Sequence, residues 1–371
     1  MDCSAPAPQD RIPVSVITGF LGSGKTTLLS KLLQHPAMAD SAVIINEFGE
    51  IGLDHHLVEA SEGDVMVMSS GCLCCTIRSD LVDTMRSLYQ RRERGEVSRF
   101  RRLLVETTGL ADPAPILHTL MNDPLLASHF ALDAVITAVD ALHGLGQFEQ
   151  HMESVKQAAV ADRLILTKVD LALPIAVTRL ETRLQQLNPA APIVEASFGG
   201  VDPAVLFDAG LYDPATKSET VRHWLRAEAY ESGGAVRTDG GHDRRRREAP
   251  HGHAPHSAHL HDINRHDDRI RAHCLVYEEP IRWRYFSPNL ASLISRHAEK
   301  LLRVKGILHV EGEPMPVVVH GVQHQFQRMR LRAWPDADRR SRLVLITRDL
   351  DRDLIANWLN TDRLSGENGV G

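Results

Sequence analysis

No apolar run in the sequence approaches the ~20 residues that a bilayer-spanning helix needs, so no membrane partner is expected. The opening stretch, MDCSAPAPQD, has no basic region followed by an apolar one, and a secretory leader is not expected either. The expected compartment is a reducing cytoplasm. A basic excess is also missing: 42 Lys and Arg face 48 Asp and Glu, a formal net charge of −6, which argues against a nucleic-acid partner. Cysteine is scarce, at five residues in 371. In a reducing compartment, clustered thiols point to metal binding or catalysis rather than to a structural disulfide. No internal repeat is visible. What remains is a chain of ordinary globular composition, long enough for two domains with cores of their own.

Six short apolar runs alternate with helical patterns over residues 11–228: VSVIT (14–18), AVII (42–45), LLVE (103–106), AVITAV (134–139), LILT (164–167) and PIVE (192–195). One intervening segment places Ile77, Leu81, Met85 and Leu88 on a single helical face. Continuous apolar strands separated by helices predict a doubly wound, mainly parallel α/β sheet covered on both faces. Residues 229–271 are rich in Gly, Pro, Arg, Asp and His and poor in aliphatics, which predicts a flexible linker. Patterned sequence resumes at Ala272, and 272–362 predict a smaller α+β C-terminal domain. HCLVYEE, GILHVEG, MPVVVHG, FQRMRLRAW and RLVLIT read as its strands. SPNLASLISRHAEKLL reads as a helix with Ser287 as N-cap and Pro288 at its first position, and DLDRDLIANWL as a closing helix. Residues 1–10 and 363–371 are expected to be disordered tails.

The most specific local signal is VSVITGFLGSGKTTLL. Gly19, Gly24, Lys25 and Thr26 fill the G-x-x-x-x-G-K-[ST] pattern directly after a strand and before a helix, the order of a P-loop NTPase. Gly19, Gly22, Ser23 and Gly24 let backbone N–H groups wrap a β-phosphate, and the helix start adds unpaired donors. Lys25 supplies charge to the β- and γ-phosphates, the Thr26 hydroxyl is the expected Mg²⁺ ligand, and Thr27 is expected at the α-phosphate.

Thr167, Lys168 and Asp170 in LILTKVDL fit the [NT]-K-x-D guanine motif. A carboxylate at Asp170 can accept both N–H groups of the guanine edge, which adenine does not offer. Ser197, after the next strand, fits a second base-contacting loop. In LLVETTGLADP, Glu106 can hold a Mg²⁺-bound water and the Gly109 N–H can sense a γ-phosphate. Leu110, not Gln, follows Gly109, so no water-orienting residue is identified and slow intrinsic GTP hydrolysis is expected. Lys25, Thr26, Glu106 and Gly109 are the candidate catalytic residues. Asn46, Glu47 and Glu50 in IINEFGEIGLD mark a candidate switch segment, in which Gly49 and Gly52 permit movement.

Three of the five cysteines, Cys72, Cys74 and Cys75, fall in one C-x-C-C after Gly71. The start of the following helix would lower nearby thiol pKa values through its dipole, and thiolates hold Zn²⁺ at about 2.3 Å in a tetrahedral shell. The remaining ligand would be Glu47, a histidine or a water. Soft sulfur favours Zn²⁺ or Cu(I), and Co²⁺ and Ni²⁺ also fit. Ligand-free buried cysteines and a redox switch are the competing readings. His242, His251, His253, His256, His259, His261 and His266 lie in the linker, where they could capture divalent metal or simply be solvated.

Together GFLGSGKTT (19–27), NEFGE (46–50), GCLCC (71–75), ETTG (106–109) and TKVD (167–170) resemble the CobW family of P-loop GTPases, relatives of HypB and UreG. The resemblance continues to RVKGILHV and VVHGVQH in the C-terminal domain. It implies GTP-dependent metal insertion, chiefly of zinc, with cobalt in the cobalamin-linked branch, into a client metalloprotein. It places metal on Cys72, Cys74 and Cys75, and nucleotide and Mg²⁺ on Lys25, Thr26, Glu106, Lys168 and Asp170. A nucleotide-dependent homodimer is a further expectation. Three alternatives stay open: a regulatory GTPase with a structural zinc, a metal buffer working through the histidine tract, and an ATP-dependent kinase.

Overall fold

The computed structural model describes residues 11–47, 65–69, 76–196, 198, 200–207, 269–331, 333–334 and 337–359. The first layer runs β1 (Ile12–Gly19), α1 (Lys25–Leu33), β2 (Ser41–Glu47), β3 (Val65–Ser69), α2 (Thr76–Glu93), β4 (Arg102–Glu106), α3 (Ala114–Asn122), α4 (Pro124–His129), β5 (Phe130–Asp140), α5 (Gly144–Gln150), α6 (Met152–Ala159), β6 (Arg163–Thr167), α7 (Pro174–Leu187), β7 (Ile193–Glu195) and α8 (Pro203–Leu206). Its seven strands are all parallel, in the order β3-β2-β4-β1-β5-β6-β7.

Period-2 alternation sorts each strand between two cores. Val14, Val16, Ala42, Ile44, Leu103 and Val105 pack on one face against Leu81, Met85 and Leu88 of α2. Ile17, Val43, Ile45 and Leu104 pack on the other against Leu28, Leu29 and Leu32 of α1. Each such side chain contributes about 1.5–3 kcal/mol on full burial, and both faces are covered, so the runs read as continuously apolar.

The second layer runs β8 (Ile270–Tyr277), α9 (Trp283–Arg296), β9 (Leu301–Leu308), β10 (Val317–Val322), β11 (Gln325–Arg330), β12 (Ser341–Arg348) and α10 (Arg352–Leu359). Its sheet is antiparallel, in the order β11-β10-β9-β12-β8. α9 and α10 cover one face through Phe286, Leu290, Leu293, Ile355 and Leu359. The opposite face lies on the first layer. Leu302, Ile346 and Ile270 join Ala158, Ala159, Leu184 and Leu187 of α6 and α7, while Val322 joins the core beneath α2 and α3.

Four sequence expectations are corrected. A seventh strand, β3, pairs with β2 from Val43↔Val65 to Glu47↔Ser69. Its five residues, VMVMS, carry two methionines and no run of β-branched residues, so the segment gives little strand signal. β8 begins at Ile270, where Ile270 and Arg271 already pair with Arg348 and Thr347. α9 starts at Trp283, with Arg282 as its extended N-cap, so Ser287 is no cap and Pro288 lies inside the helix. Burial of Phe286 beside Tyr277 and Trp283 outweighs the hydrogen bond that proline removes. The same helix stops at Arg296, and Leu301 and Leu302 open β9 instead of continuing it.

One buried ion cluster joins the layers. Asp162 Oδ2 accepts from the Val135 N–H at 2.8 Å, and Oδ1 accepts from Arg303 Nη2 at 2.9 Å and from Lys305. Burial alone would raise the Asp162 pKa, but Lys305 and Arg303 outweigh it and hold the carboxyl well below the usual carboxylate range. Asp162→Ala leaves two cations buried in the interface and is expected to cost about 3–5 kcal/mol in urea unfolding at neutral pH. A depressed carboxyl pKa contributes stability that is complete above about pH 4 and is lost as pH falls toward the folded value. Wild type and variant should therefore converge in acid, and a gap that is unchanged at low pH would count against this account.

Candidate functional site

The loop after β1 is built on three glycines with positive φ. Gly19 has φ +144°, and a Cβ there would lie 2.3 Å from the Ala138 carbonyl oxygen, so the chain turns against β5 where no side chain fits. Gly22 and Gly24 are left-handed at φ +71° and +84°. Gly24 caps α1 without any side-chain hydrogen bond, so the first N–H groups of the helix face the loop, at the positive end of the dipole. Buried Ser23 Oγ has no hydrogen-bond partner among the described residues. Lys25 is buried along the loop and donates to the Phe20 carbonyl at 3.1 Å. Thr27 is exposed on the first turn of α1.

Parallel register sets the second component beside the first. Ile17 pairs with Glu106, and the Thr107 N–H donates to the Ile17 carbonyl at 2.9 Å. The Thr26 hydroxyl then donates to Glu106 Oε1 at 2.7 Å. A hydroxyl and a carboxylate are hard oxygen donors, and their meeting at the foot of a phosphate-type loop fits Mg²⁺. Gly109 follows directly. A Cβ there would lie 2.7 Å from the Leu21 backbone N and 2.8 Å from its Cα, so the two loops touch backbone to backbone. Gln157 on α6, fully buried, donates to the carbonyls of Gly109 at 3.2 Å and Ala111 at 3.0 Å.

Thr167 braces the loop, its hydroxyl donating to the Ser23 carbonyl at 2.7 Å and the Val139 carbonyl at 3.2 Å. Lys168, left-handed at φ +56°, reaches back over the loop. Its Nζ donates to the Gly22 carbonyl and to Asp140 Oδ2, each at 2.7 Å. Burial would raise the pKa of Asp140, but bonds from Lys168, His143 and the Leu142 and His143 N–H groups outweigh it and keep the pKa below its usual value. Asp170 is exposed on the turn that follows β6.

Lys25, Thr26, Glu106, Gly109, Thr167 and Lys168 therefore converge on one loop. Cys72, Cys74, Cys75, Ser197 and the linker histidines lie outside the described residues, as does the side chain of Glu47. Among the described residues no group of three or more His, Cys, Asp or Glu could hold a metal ion, and no helix is long and apolar enough to cross a membrane. Sequence reading missed Asp140 and Gln157. Asp140 closes β5 as the only acid in AVITAVD, opposite the required lysine. Gln157 is a polar residue flanked by buried Val155, Ala158 and Ala159.

Residues 13–195 match the CobW/HypB/UreG nucleotide-binding domain, and residues 270–361 match the cobalamin synthesis protein CobW C-terminal domain. The zinc chaperone YjiA of Escherichia coli (strain K12) is 30% identical over 338 residues, covering 90% of this chain and 93% of that protein. The zinc chaperone CobW of Pseudomonas aeruginosa is 33% identical over 385 residues, covering 95% and 91%. The crystal structure of Zn(II)-bound YjiA GTPase from E. coli superposes with a TM-score of 0.64 at 28% identity, over 94% of this chain and 98% of that one.

Glu106→Gln keeps an acceptor for Thr26 but removes the charge. It is expected to weaken nucleotide binding in Mg²⁺ by about ten- to hundredfold and to leave binding in EDTA unchanged, as read by fluorescent-nucleotide titration. An equal loss with and without the ion would contradict this placement of Mg²⁺.

Proposed function

The chain belongs to the CobW/HypB/UreG family of P-loop GTPases, and on that premise we propose that it is a GTP-hydrolysing metallochaperone that carries zinc to a client metalloprotein. The observation that carries the reading is the 2.7 Å contact of Thr26 with Glu106 beside the backbone contact of Gly109 with Leu21. Together they support a Mg²⁺ site and a γ-phosphate sensor on one triphosphate loop. The zinc in the names of relatives at 30% and 33% identity supports zinc over cobalt as cargo.

In this reading the backbone of Gly22–Gly24 and the start of α1 hold the β-phosphate, while Lys25 supplies positive charge to the β- and γ-phosphates. Thr26 and, through a water, Glu106 would hold Mg²⁺, which would supply charge neutralisation at the phosphate oxygens. Water attacks the γ-phosphorus, the bond to the β,γ-bridging oxygen breaks, and GDP keeps that oxygen. Asp170 reads the guanine edge, and the Lys168 stem lies along the base. Leu110 stands exposed where a water-orienting glutamine is usual, which supports slow intrinsic turnover. The exposed Leu21 and Leu110 beside the loop support a homodimer formed around nucleotide.

Cargo zinc is assigned to the thiolates of Cys72, Cys74 and Cys75, with Glu47 as a further ligand. In a parallel sheet all carboxyl ends share one edge. Glu47 and Ser69 end β2 and β3 at the edge where Gly19 ends β1, and this supports coupling between nucleotide and metal. Binding linkage then requires zinc to tighten GTP by the factor by which GTP tightens zinc.

Two measurements test the proposal. GTP turnover is expected to rise with Zn²⁺ more than with Co²⁺ or Ni²⁺, and replacing Cys72, Cys74 and Cys75 by serine should abolish that rise while basal turnover persists. Ion-triggered turnover that survives the triple replacement would sink the metal assignment. Asp170→Asn is expected to weaken GTP by about tenfold or more without loss of stability, because a paired acceptor for two guanine donors is lost. Unchanged GTP affinity would remove the guanine assignment.

A further inference from the structure

We propose that the Gln323–His324 turn of the C-terminal domain positions the γ-phosphate sensor at Gly109, acting through Asp112. The inference rests on the nucleotide reading above and extends it to a part of the chain that holds none of the phosphate-loop residues.

Asp112 lies three residues beyond Gly109 and is a three-way junction. Its Oδ1 accepts from the Ala114 N–H at 3.0 Å, at the first turn of α3. Its Oδ2 accepts from Lys156 Nζ of α6 at 2.8 Å and from Gln323 Nε2 at 3.3 Å. Between Gly109 and Asp112 the backbone is held by Gln157, the neighbour of Lys156, at the Gly109 and Ala111 carbonyls. α6 is also tied to the phosphate loop, since His151 at its N-cap stacks on Phe20 with ring centroids 4.5 Å apart. On its N-terminal side the Gly109 segment is fixed to β1, the Thr107 N–H donating to the Ile17 carbonyl and its hydroxyl to Thr18 Oγ1; on its C-terminal side the contacts come from α6 and, through Asp112, from the C-terminal turn.

The turn itself is strained in a way a simple connection would avoid. Gln323 adopts φ +49°, a left-handed conformation usually given to Gly or Asn in a two-residue hairpin. It is held there by its surroundings. Val322 is fully buried, its carbonyl lies 2.9 Å from His118 Nε2 on α3, and the His118 and His324 rings meet edge to face at 4.4 Å. A glycine would relieve the backbone but has no amide to reach Asp112. The glutamine is accounted for by that reach.

GDP carries no γ-phosphate, so a group that positions Gly109 alters the affinity of the triphosphate and not of the diphosphate. A group that only glues the domains together alters both or neither. The test uses the full-length chain with Gln323→Ala, Gln323→Gly and Asp112→Asn, titrated with fluorescent GDP and with a non-hydrolysable GTP analogue in Mg²⁺. All three variants should change analogue affinity by about three- to tenfold while GDP affinity stays within about twofold, the size of coupling change seen along such networks. Melting temperature should fall for Gln323→Ala and hold for Gln323→Gly, which accepts the left-handed backbone, so the glycine variant reads the lost amide in a folded protein. A folded Gln323→Gly with the wild-type ratio of the two affinities overturns the inference, as does equal weakening of both nucleotides. Absence of guanine-nucleotide binding by the wild type overturns the functional reading together with this one.

Discussion

Two backbones touch at Gly109 and Leu21, and the site depends on that approach. Any side chain at position 109 would meet the nitrogen and Cα of Leu21 at under 3 Å. The E-T-T-G segment therefore rests on the phosphate loop with nothing between them. Contact of this kind has little compliance, since packed interiors transmit displacement instead of absorbing it. A shift of the loop toward a bound phosphate is felt at Gly109, and a shift at Gly109 is felt in the loop. The Thr26–Glu106 bond is a second link between the segments at the ends of β1 and β4, whose register brings them side by side.

The C-terminal domain is bound into this arrangement. One face of its sheet is filled by α9 and α10, and the other by the first layer. Asp162, Arg303 and Lys305 close the junction with charges that are costly to bury unpaired. A sheet covered on both faces presents only its edges and the outer sides of its helices to another protein.

The strands of the first layer were legible because both cores demand continuous apolar residues, and the P-loop was legible because its glycines are dictated by backbone geometry. Other features depended on partners distant in sequence. β3 is an edge strand whose methionines carry little strand preference, and only its pairing with β2 defines it. Pro288 marks a helix start on local rules, yet the burial of Phe286 carries the helix a turn further back. Asp140 and Gln157 gain meaning only from Lys168 and from the Gly109 carbonyl, contacts that no local spacing encodes. The first residue of T-K-x-D, Thr167, also braces the phosphate loop through the Ser23 carbonyl, a contact that its motif position does not announce. The C-x-C-C was legible purely as a motif, from thiols concentrated where thiols are otherwise rare.

Under the proposed function the two inputs to Gly109 arrive from different sides. β2 and β3 form one end of the seven-stranded sheet, and the C-x-C-C follows β3 in the chain. The C-terminal domain rests on α3, α6 and α7, which flank the middle and the opposite end. A metal signal entering through β2 and β3 must cross β4, the strand that carries Glu106, before it reaches the phosphate loop on β1. A signal from the C-terminal turn crosses no strand, since Asp112 continues directly from Gly109. Metal thus acts first on the side that holds Mg²⁺, and the C-terminal domain acts first on the sensor. Those positions predispose the one to alter catalysis and the other to alter discrimination between tri- and diphosphate.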